Sequence, residues 1–287
     1  MNRFATPGSS SKVSGECMDG ILSVVIPIYN EEESLAPYLD ELVPYCQKRD
    51  WELILVDDGS TDSTPDILEK YASLDRVLVL THKLNRGYGG ATKTGIHAAQ
   101  TPYIVTLDAD GQQYFEDIDP LLAFAVEKDA DLVIGKRDKK KSSLYRRIGK
   151  SLIHHAARVI MHVPFEDLIS GFKLYRASLV KRYIKICPDT MAFTYFIALL
   201  FINRKDLVLE YPIRTRERKA GESKINTMDA FEAVVEIIGL ILIFKPLRVF
   251  LSLSLAAVLL GFGWGITVGI MGRGVSVGSM LSIVIGV

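Results

Sequence analysis

Short apolar runs alternate with segments of helical periodicity along the first half of the chain. The β-branched runs predict buried strands at 22–28, 53–57, 77–81, 103–108 and 132–135. Between them, apolar positions at helical spacing predict helices at 31–47, 65–73, 90–99 and 120–127. Strands that alternate with helices predict the α/β class, with a largely parallel sheet covered on both faces.

Polar side chains follow two of the predicted strands where each strand ends. Asp57 and Asp58 come after Val56, and Asp108 and Asp110 are separated by one small residue. In an open α/β sheet, ligands bind outside the carboxyl ends of the strands. Two carboxylates there, followed by the amide of Gln112, offer oxygen ligands for Mg²⁺ or Mn²⁺, which would bridge to a diphosphate. The alternative is a solvated turn rich in aspartate.

Composition narrows the class of protein. The 34 basic and 34 acidic residues balance to a net charge of zero, so no basic field indicates nucleic acid as a partner. The three cysteines are scattered, without the spacing of a zinc site or a disulfide framework. Residues 1–20 are rich in serine and glycine and lack an apolar signal-peptide region, which predicts a disordered tail.

The C-terminal part changes in character. Residues 249–271 carry no charge, and at ~1.5 Å per residue such a helix would cross a ~30 Å hydrocarbon core. A second apolar run begins at Val275, so 247–287 is predicted as a transmembrane region with one full span and the start of another. Segment 227–246 is predicted as an interfacial amphipathic helix. Lys245 and Arg248 precede the span, which predicts that the domain at 21–226 faces the cytoplasm.

Several separated motifs follow one another along the chain. They begin at Val25 (VIPIYNE), Val56 (VDDGSTD), Asn85 (NRGYG), Asp108 (DADGQ), Gly135 (GKR), Asp167 (DLISGFK) and Arg218 (RKAGESK). Any one motif is weak, but their order and spacing are specific, and together they resemble family 2 glycosyltransferases with the GT-A fold. The likeness is greatest to the dolichyl- and polyprenyl-phosphate mannosyl- and glucosyltransferases, and it covers roughly residues 22–224.

The resemblance implies a fold and a reaction. The fold is the GT-A, Rossmann-like nucleotide-sugar-binding domain, with a mixed, mostly parallel sheet and C-terminal amphipathic and transmembrane helices. The activity is a metal-dependent, inverting transfer of a hexose from GDP-mannose or UDP-glucose to polyprenyl phosphate, either undecaprenyl or dolichyl. The implied location is the cytoplasmic membrane, in contact with its lipid, and a homo-oligomer is left open.

The resemblance also implies the roles of individual residues. Metal ligands would be Asp108, Asp110 and Gln112, and the acceptor phosphate would meet Arg137, Arg147 and Ser151. The implied catalytic residues are Asp110, Arg137, Arg218 and Lys224. The nucleotide sugar would be bound by Pro27, Tyr29, Glu31, Val56, Asp57, Asp58, Asp108 and Ala109. The structural alternatives are a strand-end aromatic for Tyr29, turn formation for the aspartates and solvated charge for the basic residues.

Other functions fit the sequence less well. A transferase that acts on the hydroxyl of a lipid-linked sugar or a polysaccharide is the main alternative, and it would need a base such as Asp167. A processive synthase would carry a Gln-x-x-Arg-Trp motif, which is absent. No Gly-x-Gly-x-x-Gly follows the first strand and no Walker A motif occurs, which disfavours a nicotinamide dehydrogenase and a P-loop enzyme. A binding module without activity is left open.

Overall fold

The computed structural model describes residues 20–137, 165, 167–216, 246–270, 277, 280, 281 and 284. They fall into two compact units, the first containing the described residues up to 216 and the second those from 246 onward. The strands of the first unit are β1 Leu22–Ile28, β2 Glu52–Asp57, β3 Val77–Thr81, β4 Tyr103–Thr106, β5 Leu132–Arg137, β6 Lys173–Arg176 and β7 Val208–Ile213.

The helices of the first unit lie before, between and after these strands. They are α1 Glu32–Gln47, α2 Thr64–Glu69, α3 Tyr88–Ala98, α4 Ile118–Lys128, α5 Ala177–Tyr183 and α6 Phe193–Arg204, with 3₁₀ turns at Phe115–Asp117 and Ile184–Ile186.

The seven strands form one mixed sheet in the order β3-β2-β1-β4-β6-β5-β7. Every pair is parallel except the two made by β6, which runs antiparallel to both β4 and β5. This confirms the predicted mixed, mostly parallel sheet. The chain builds β2 and β3 on one side of β1 and then returns to β4 on the other side. The carboxyl ends of β1 and β4 therefore flank a topological switch point, where open α/β sheets place their ligands.

Apolar packing on both faces fixes the sheet. All seven residues of β1 are buried, since the strand is covered from both sides. Helix α1 buries Leu35, Leu39 and Leu42, which recur at helical spacing and contribute about 1.5–3 kcal/mol each when fully buried. Helix α3 lies so close to β1 that a Cβ at Gly95 would overlap the side chain of Val25. That close packing brings the start of α3, at Tyr88, to the switch point.

The strands predicted at 22–28 and 77–81 agree with β1 and β3. Strand β4 ends at Thr106 instead of residue 108, so Leu107 and Asp108 lie in the loop that follows. Elements β6, β7, α5 and α6 were not predicted. Helix α6 buries its residues from Phe193 to Phe201 on all sides, which removes the periodicity by which a helix is recognised, and β6 has only four residues.

The second unit contains α7, Pro246–Ile270. Many of its apolar side chains are exposed, including Leu251, Leu260 and Ile270 at 70%, 72% and 82%. Among the residues that the structure describes, no helix combines the length and the hydropathy needed to cross a membrane. The predicted transmembrane helix is thus not supported by this criterion. The predicted tail at 1–19 and residues 227–245 of the interfacial helix lie outside the described residues.

Candidate active site

A cleft of about 410 Å³ opens at the switch point between β1 and β4. Its walls come from the carboxyl ends of β1 and β4, the start of α3 and the loop before α6. It is lined by Pro27, Ile28, Tyr29, Glu31, Asp58, Asn85, Tyr88, Ala91, Asp108, Ala109, Asp110 and Met191. The structure therefore brings together seven of the sequence-predicted site residues: Pro27, Tyr29, Glu31, Asp58, Asp108, Ala109 and Asp110.

The β1 side of the cleft is formed by the exposed ring of Tyr29 and the nearby carboxylate of Glu31. Tyr29 follows the last residue of β1 and is 45% exposed, so its ring is open to a planar ligand. The N–H of Glu31 donates to Thr64 Oγ1 (3.0 Å), and Glu31 Oε2 accepts from the Ser34 hydroxyl (2.8 Å). One hydroxyl bond leaves this carboxylate with acceptor capacity toward the cleft.

The two aspartates at the carboxyl end of β2 have different surroundings, Asp57 being its last residue and Asp58 the next. Asp58 lines the cleft and is bonded to His82. Asp57 is 1% exposed, does not line the cleft, and accepts the N–H of Ser60 (3.0 Å), which is a turn-forming bond. Val56 is fully buried in β2 and lies away from the cleft lining. Nucleotide contacts by Val56 and Asp57 remain predictions.

Asp108 is held from several sides. Tyr88 Oη donates to Asp108 Oδ1 (2.9 Å) and Gln113 Nε2 donates to Asp108 Oδ2 (2.6 Å). Gly171 packs directly against the carboxylate, since a Cβ there would lie 2.6 Å from Asp108 Cγ. Desolvation, and then the nearby charge of Asp110, raise the pKa of Asp108.

Asp110 is less constrained than Asp108. Its Oδ1 accepts the N–H of Gln112 (3.0 Å) across a turn in which Gly111 has a φ of +65°. Gln112 contributes its backbone here, and its carbonyl accepts the N–H of Arg216 (2.7 Å). The neighbouring amide, Gln113, is the one that contacts Asp108. A metal contact by the Gln112 side chain remains a prediction.

The carboxylates of Asp108 and Asp110 are candidate ligands for a divalent cation. Among the described residues, no group of three or more His, Cys, Asp or Glu side chains could hold a metal ion. Mg²⁺ nevertheless commonly binds through one or two carboxylates together with substrate phosphates, rather than in a cage built only of protein. The repulsion that raises the pKa of Asp108 is also what a cation would relieve. Asp108 and Asp110 therefore fit a metal that shares its coordination with a diphosphate.

Arg137, at the end of β5, lies close enough for Asp108 and Asp110 to raise its pKa, although its bond to Asp167 raises it most. Its Nε and Nη2 donate to the two carboxylate oxygens of Asp167 at 2.7 and 2.8 Å. The N–H of Asp167 in turn donates to Glu210 Oε1 on β7 (3.0 Å). The arginine is thus fixed in a bidentate geometry beside the carboxylate pair.

A buried lysine lies behind the same carboxylates. Lys173 begins β6, is fully buried, and donates to the carbonyl of Ser170. Burial lowers the pKa of Lys173 to about 7, against the opposing charges of Asp167 and Asp108. The other sequence-predicted site residues, Arg147, Ser151, Arg218 and Lys224, lie outside the described residues.

Comparison with known proteins identifies the family. Residues 23–192 match the family model described as glycosyl transferase family 2. The chain belongs to this family. Two curated relatives are undecaprenyl-phosphate 4-deoxy-4-formamido-L-arabinose transferases. The one from Edwardsiella ictaluri is 31% identical, with 85% of this chain and 75% of the relative covered. The one from Proteus mirabilis is 30% identical, with 84% and 73% covered.

Solved structures extend the comparison to the fold. Glucosyl-3-phosphoglycerate synthase from Mycobacterium tuberculosis, crystallised with Mn²⁺, uridine diphosphate and phosphoglyceric acid, has a TM-score of 0.63. It is 15% identical, with 83% of this chain and 84% of that chain covered, which shows the GT-A fold alone. Family membership and named transferase relatives make this chain a glycosyltransferase.

Sequence reasoning gave no role to several residues of this family 2 site. Tyr88 and Asn85 stand within the Asn-Arg-Gly-Tyr-Gly motif, so the motif was a signal without an assigned contact. Gln113 adjoins the predicted Gln112, and only the fold shows which amide faces Asp108. His82 directly follows the predicted strand 77–81, so a strand-end signal existed, but only the fold shows its bond to Asp58. Met191 carried no local signal and reaches the cleft through long-range packing.

Proposed function

We propose that this chain transfers a sugar from a nucleotide sugar to polyprenyl phosphate, with inversion at the anomeric carbon. The observation that carries the proposal is the carboxylate pair Asp108 and Asp110 in the switch-point cleft, with the clamped guanidinium of Arg137 beside it. The undecaprenyl-phosphate specificity in the names of the relatives supports this class of acceptor. GDP-mannose and UDP-glucose are the donors proposed from the sequence.

The donor would lie along the cleft. Its base and ribose would occupy the end formed by Tyr29, Glu31 and Asp58, and its diphosphate would reach Asp108 and Asp110. A Mg²⁺ or Mn²⁺ ion held by these two carboxylates would neutralise the charge that develops on the departing diphosphate. Tyr88 and Gln113 hold Asp108 in place for this task.

The acceptor determines how much acid–base chemistry the protein must supply. A lipid monophosphate near neutral pH is already an oxyanion, so positioning and charge stabilisation suffice for attack. Asp167 is the base that a sugar hydroxyl would require, and both of its carboxylate oxygens accept hydrogen bonds from Arg137. That bond favours the phosphate acceptor over the sugar hydroxyl. Arg137 would orient the acceptor phosphate, together with Arg147, Ser151, Arg218 and Lys224.

A polyprenyl acceptor places the enzyme at a membrane. The exposed apolar side chains of α7, among them Phe250, Leu255 and Phe262 at 58%, 58% and 54%, offer a surface that lipid would cover. We propose attachment to the cytoplasmic membrane through the second unit, with the first unit facing the cytoplasm.

The test is sugar transfer in detergent. Radiolabelled GDP- and UDP-sugars are incubated with the full chain, undecaprenyl phosphate and Mg²⁺ or Mn²⁺, and label in the organic phase is counted. We expect lipid-phase label that EDTA abolishes and that Asp110→Asn reduces at least about 100-fold. Label in water-soluble or polysaccharide product, with none in lipid, would refute the proposal.

A further inference from the structure

Asp58 carries two hydrogen bonds on one oxygen. His82 Nδ1 lies 2.6 Å from Asp58 Oδ1, and the N–H of Arg86 donates to the same atom (2.9 Å). Nδ1 is the donor in the first bond, since a carboxylate oxygen only accepts. Within the part of the chain that the structure describes, no donor is bonded to Oδ2. Because Asp58 lines the cleft, Oδ2 is the oxygen available to a ligand.

His82 is itself fixed in this orientation. Its Nε2 lies 2.9 Å from Thr94 Oγ1 on α3, and its backbone N–H donates to the carbonyl of Asp57 (2.9 Å). The His82 side chain is 9% exposed and that of Asp58 is 3% exposed, so water does not compete for their bond. Asp58 Oδ1 therefore accepts a buried hydrogen bond from the imidazole, and the carboxylate cannot rotate without losing that bond.

A hydrogen-bond donor lies at the same end of the cleft. The side chain of Asn85, another lining residue, accepts the N–H of Gly87 with its Oδ1 (2.9 Å). Its amide NH₂ has no partner among the residues that the structure describes, and that group only donates. Gly59, at a φ of +72°, lets the backbone of this loop pack closely, because a Cβ there would lie 2.9 Å from the backbone nitrogen of Asn85. Asp58 and Asn85 together thus offer one acceptor oxygen and one amide donor, beside the separate carboxylate of Glu31.

We propose that His82 makes this site select a uracil base over guanine and cytosine. Uracil presents a single ring N–H flanked by carbonyl oxygens, which suits one acceptor oxygen and one amide donor. Guanine presents a ring N–H and an adjacent amino group, which pair best with both oxygens of a carboxylate. Cytosine presents an unprotonated ring nitrogen, which would face Asp58 Oδ2 as acceptor against acceptor. The inference rests on the proposed function, and it assigns the donor to the uridine diphosphate sugars.

The test measures equilibrium binding of UDP, GDP and CDP to the full chain with Mg²⁺ by isothermal titration calorimetry. Leaving a buried polar group without its partner costs ~1–3 kcal/mol, so GDP and CDP should each bind at least about fivefold more weakly than UDP. In His82→Leu, which frees the lone pair on Oδ1, the preference for UDP over GDP should shrink at least about threefold. In His82→Asn, whose amide can replace Nδ1–H, the preference should be retained.

Two controls separate selectivity from general damage. Glu31→Gln alters the other carboxylate at this end of the cleft and should weaken UDP and GDP alike, with their ratio unchanged. Unfolding midpoints show whether the His82 variants fold. If His82→Leu does not, the ratio of UDP to GDP affinity in His82→Asn and the order of affinities in the wild type test the proposal instead.

If lipid transfer is observed but the wild type binds UDP and GDP equally, or binds GDP more tightly, the role of His82 is overturned and the proposed function is not. An unchanged ratio in a folded His82→Leu variant would overturn that role as well. If no nucleoside diphosphate binds, the proposed function fails together with this inference.

Discussion

The guanidinium of Arg137 is joined to the carboxylate of Asp167 by two parallel hydrogen bonds of 2.7 and 2.8 Å. A third bond, from the Arg137 N–H to Asp167 Oδ2 (3.3 Å), ties the same carboxylate to the end of β5. Both side chains are largely shielded, at 30% and 14% exposure. The pair fixes a permanent positive charge next to Asp108 and Asp110, where a diphosphate would carry its negative charge.

Replacing Asp167 tests whether that fixed orientation matters. Asp167→Asn keeps one acceptor oxygen and abolishes the bidentate clamp, so Arg137 should lose its alignment. We expect kcat for transfer to fall about 10- to 100-fold with a smaller change in KM, as for other displaced catalytic groups. Steady-state kinetics on the lipid product measure the split. Glu210→Gln, which retains an acceptor for the Asp167 N–H, should change kcat much less. Wild-type kcat in Asp167→Asn would show that the clamp serves the fold alone.

The hydrogen bond from Tyr88 to Asp108 is expected to influence how activity depends on pH. Tyr88 donates to the ionised carboxylate and so lowers the pKa of Asp108 against the larger effects of desolvation and Asp110. In Tyr88→Phe that opposing influence is lost, and the pKa of Asp108 should rise further. Activity that requires ionised Asp108 should then have its acidic limb at higher pH, as read from kcat/KM between pH 5 and 8.

A matched tyrosine supplies the control for that profile. Tyr45 also donates to an aspartate, Asp119 Oδ2 (2.6 Å), away from the cleft lining. Tyr45→Phe should therefore leave the acidic limb where it is in the wild type. Equal shifts in both variants would contradict a specific role for Tyr88.

Gly171 is expected to tolerate no side chain. A Cβ on Gly171 would lie 2.6 Å from Asp108 Cγ, so Gly171→Ala must displace the carboxylate or the backbone that precedes β6. We expect loss of metal-dependent UDP binding and a decrease of about 1–3 kcal/mol in the free energy of unfolding. Calorimetric titration and thermal unfolding measure the two effects.

Gly111→Ala is the comparison for Gly171. The nearest atom to the new Cβ would be in the ring of Tyr38, at 3.8 Å. The φ of +65° would nevertheless lower the free energy of unfolding by about 1 kcal/mol. It should lose stability while retaining more nucleotide binding than Gly171→Ala. Equal binding by Gly171→Ala and the wild type would show that Asp108 has room to move.

Lys173 predicts how stability depends on pH. Its folded-state pKa of about 7 lies below the value of ~10.4 for an unfolded chain. Between these values the unfolded state binds more protons, so stability should rise as the pH increases from 7 toward 10. Lys173→Met removes this group and should flatten that part of the curve. Unfolding midpoints of both proteins across pH 6–10 give the comparison, and parallel curves would refute the assignment.

Local sequence was sufficient for the parts of the fold whose burial is periodic. Strands β1 and β3, and the carboxylates at the carboxyl ends of β2 and β4, follow from apolar runs that end in polar residues. Position within a motif did not decide contact, however. Asp57 and Asp58 are adjacent, yet one closes a turn on Ser60 and the other lines the cleft. Which of two neighbouring aspartates faces a ligand depends on packing from α3 and the loop after β3.

The order of residues was enough to predict the α/β class, the sheet edge that carries the site and the carboxylate pair Asp108 and Asp110. These features depend on the pattern of neighbouring residues, which is local. The surroundings of this pair come from long-range packing in the folded chain. The short antiparallel strand β6 enters between β4 and β5, and that pairing brings Gly171 and Lys173 against Asp108. Such contacts join residues distant in the chain, and the free energy of packing the whole sheet selects them, so no local pattern contains them.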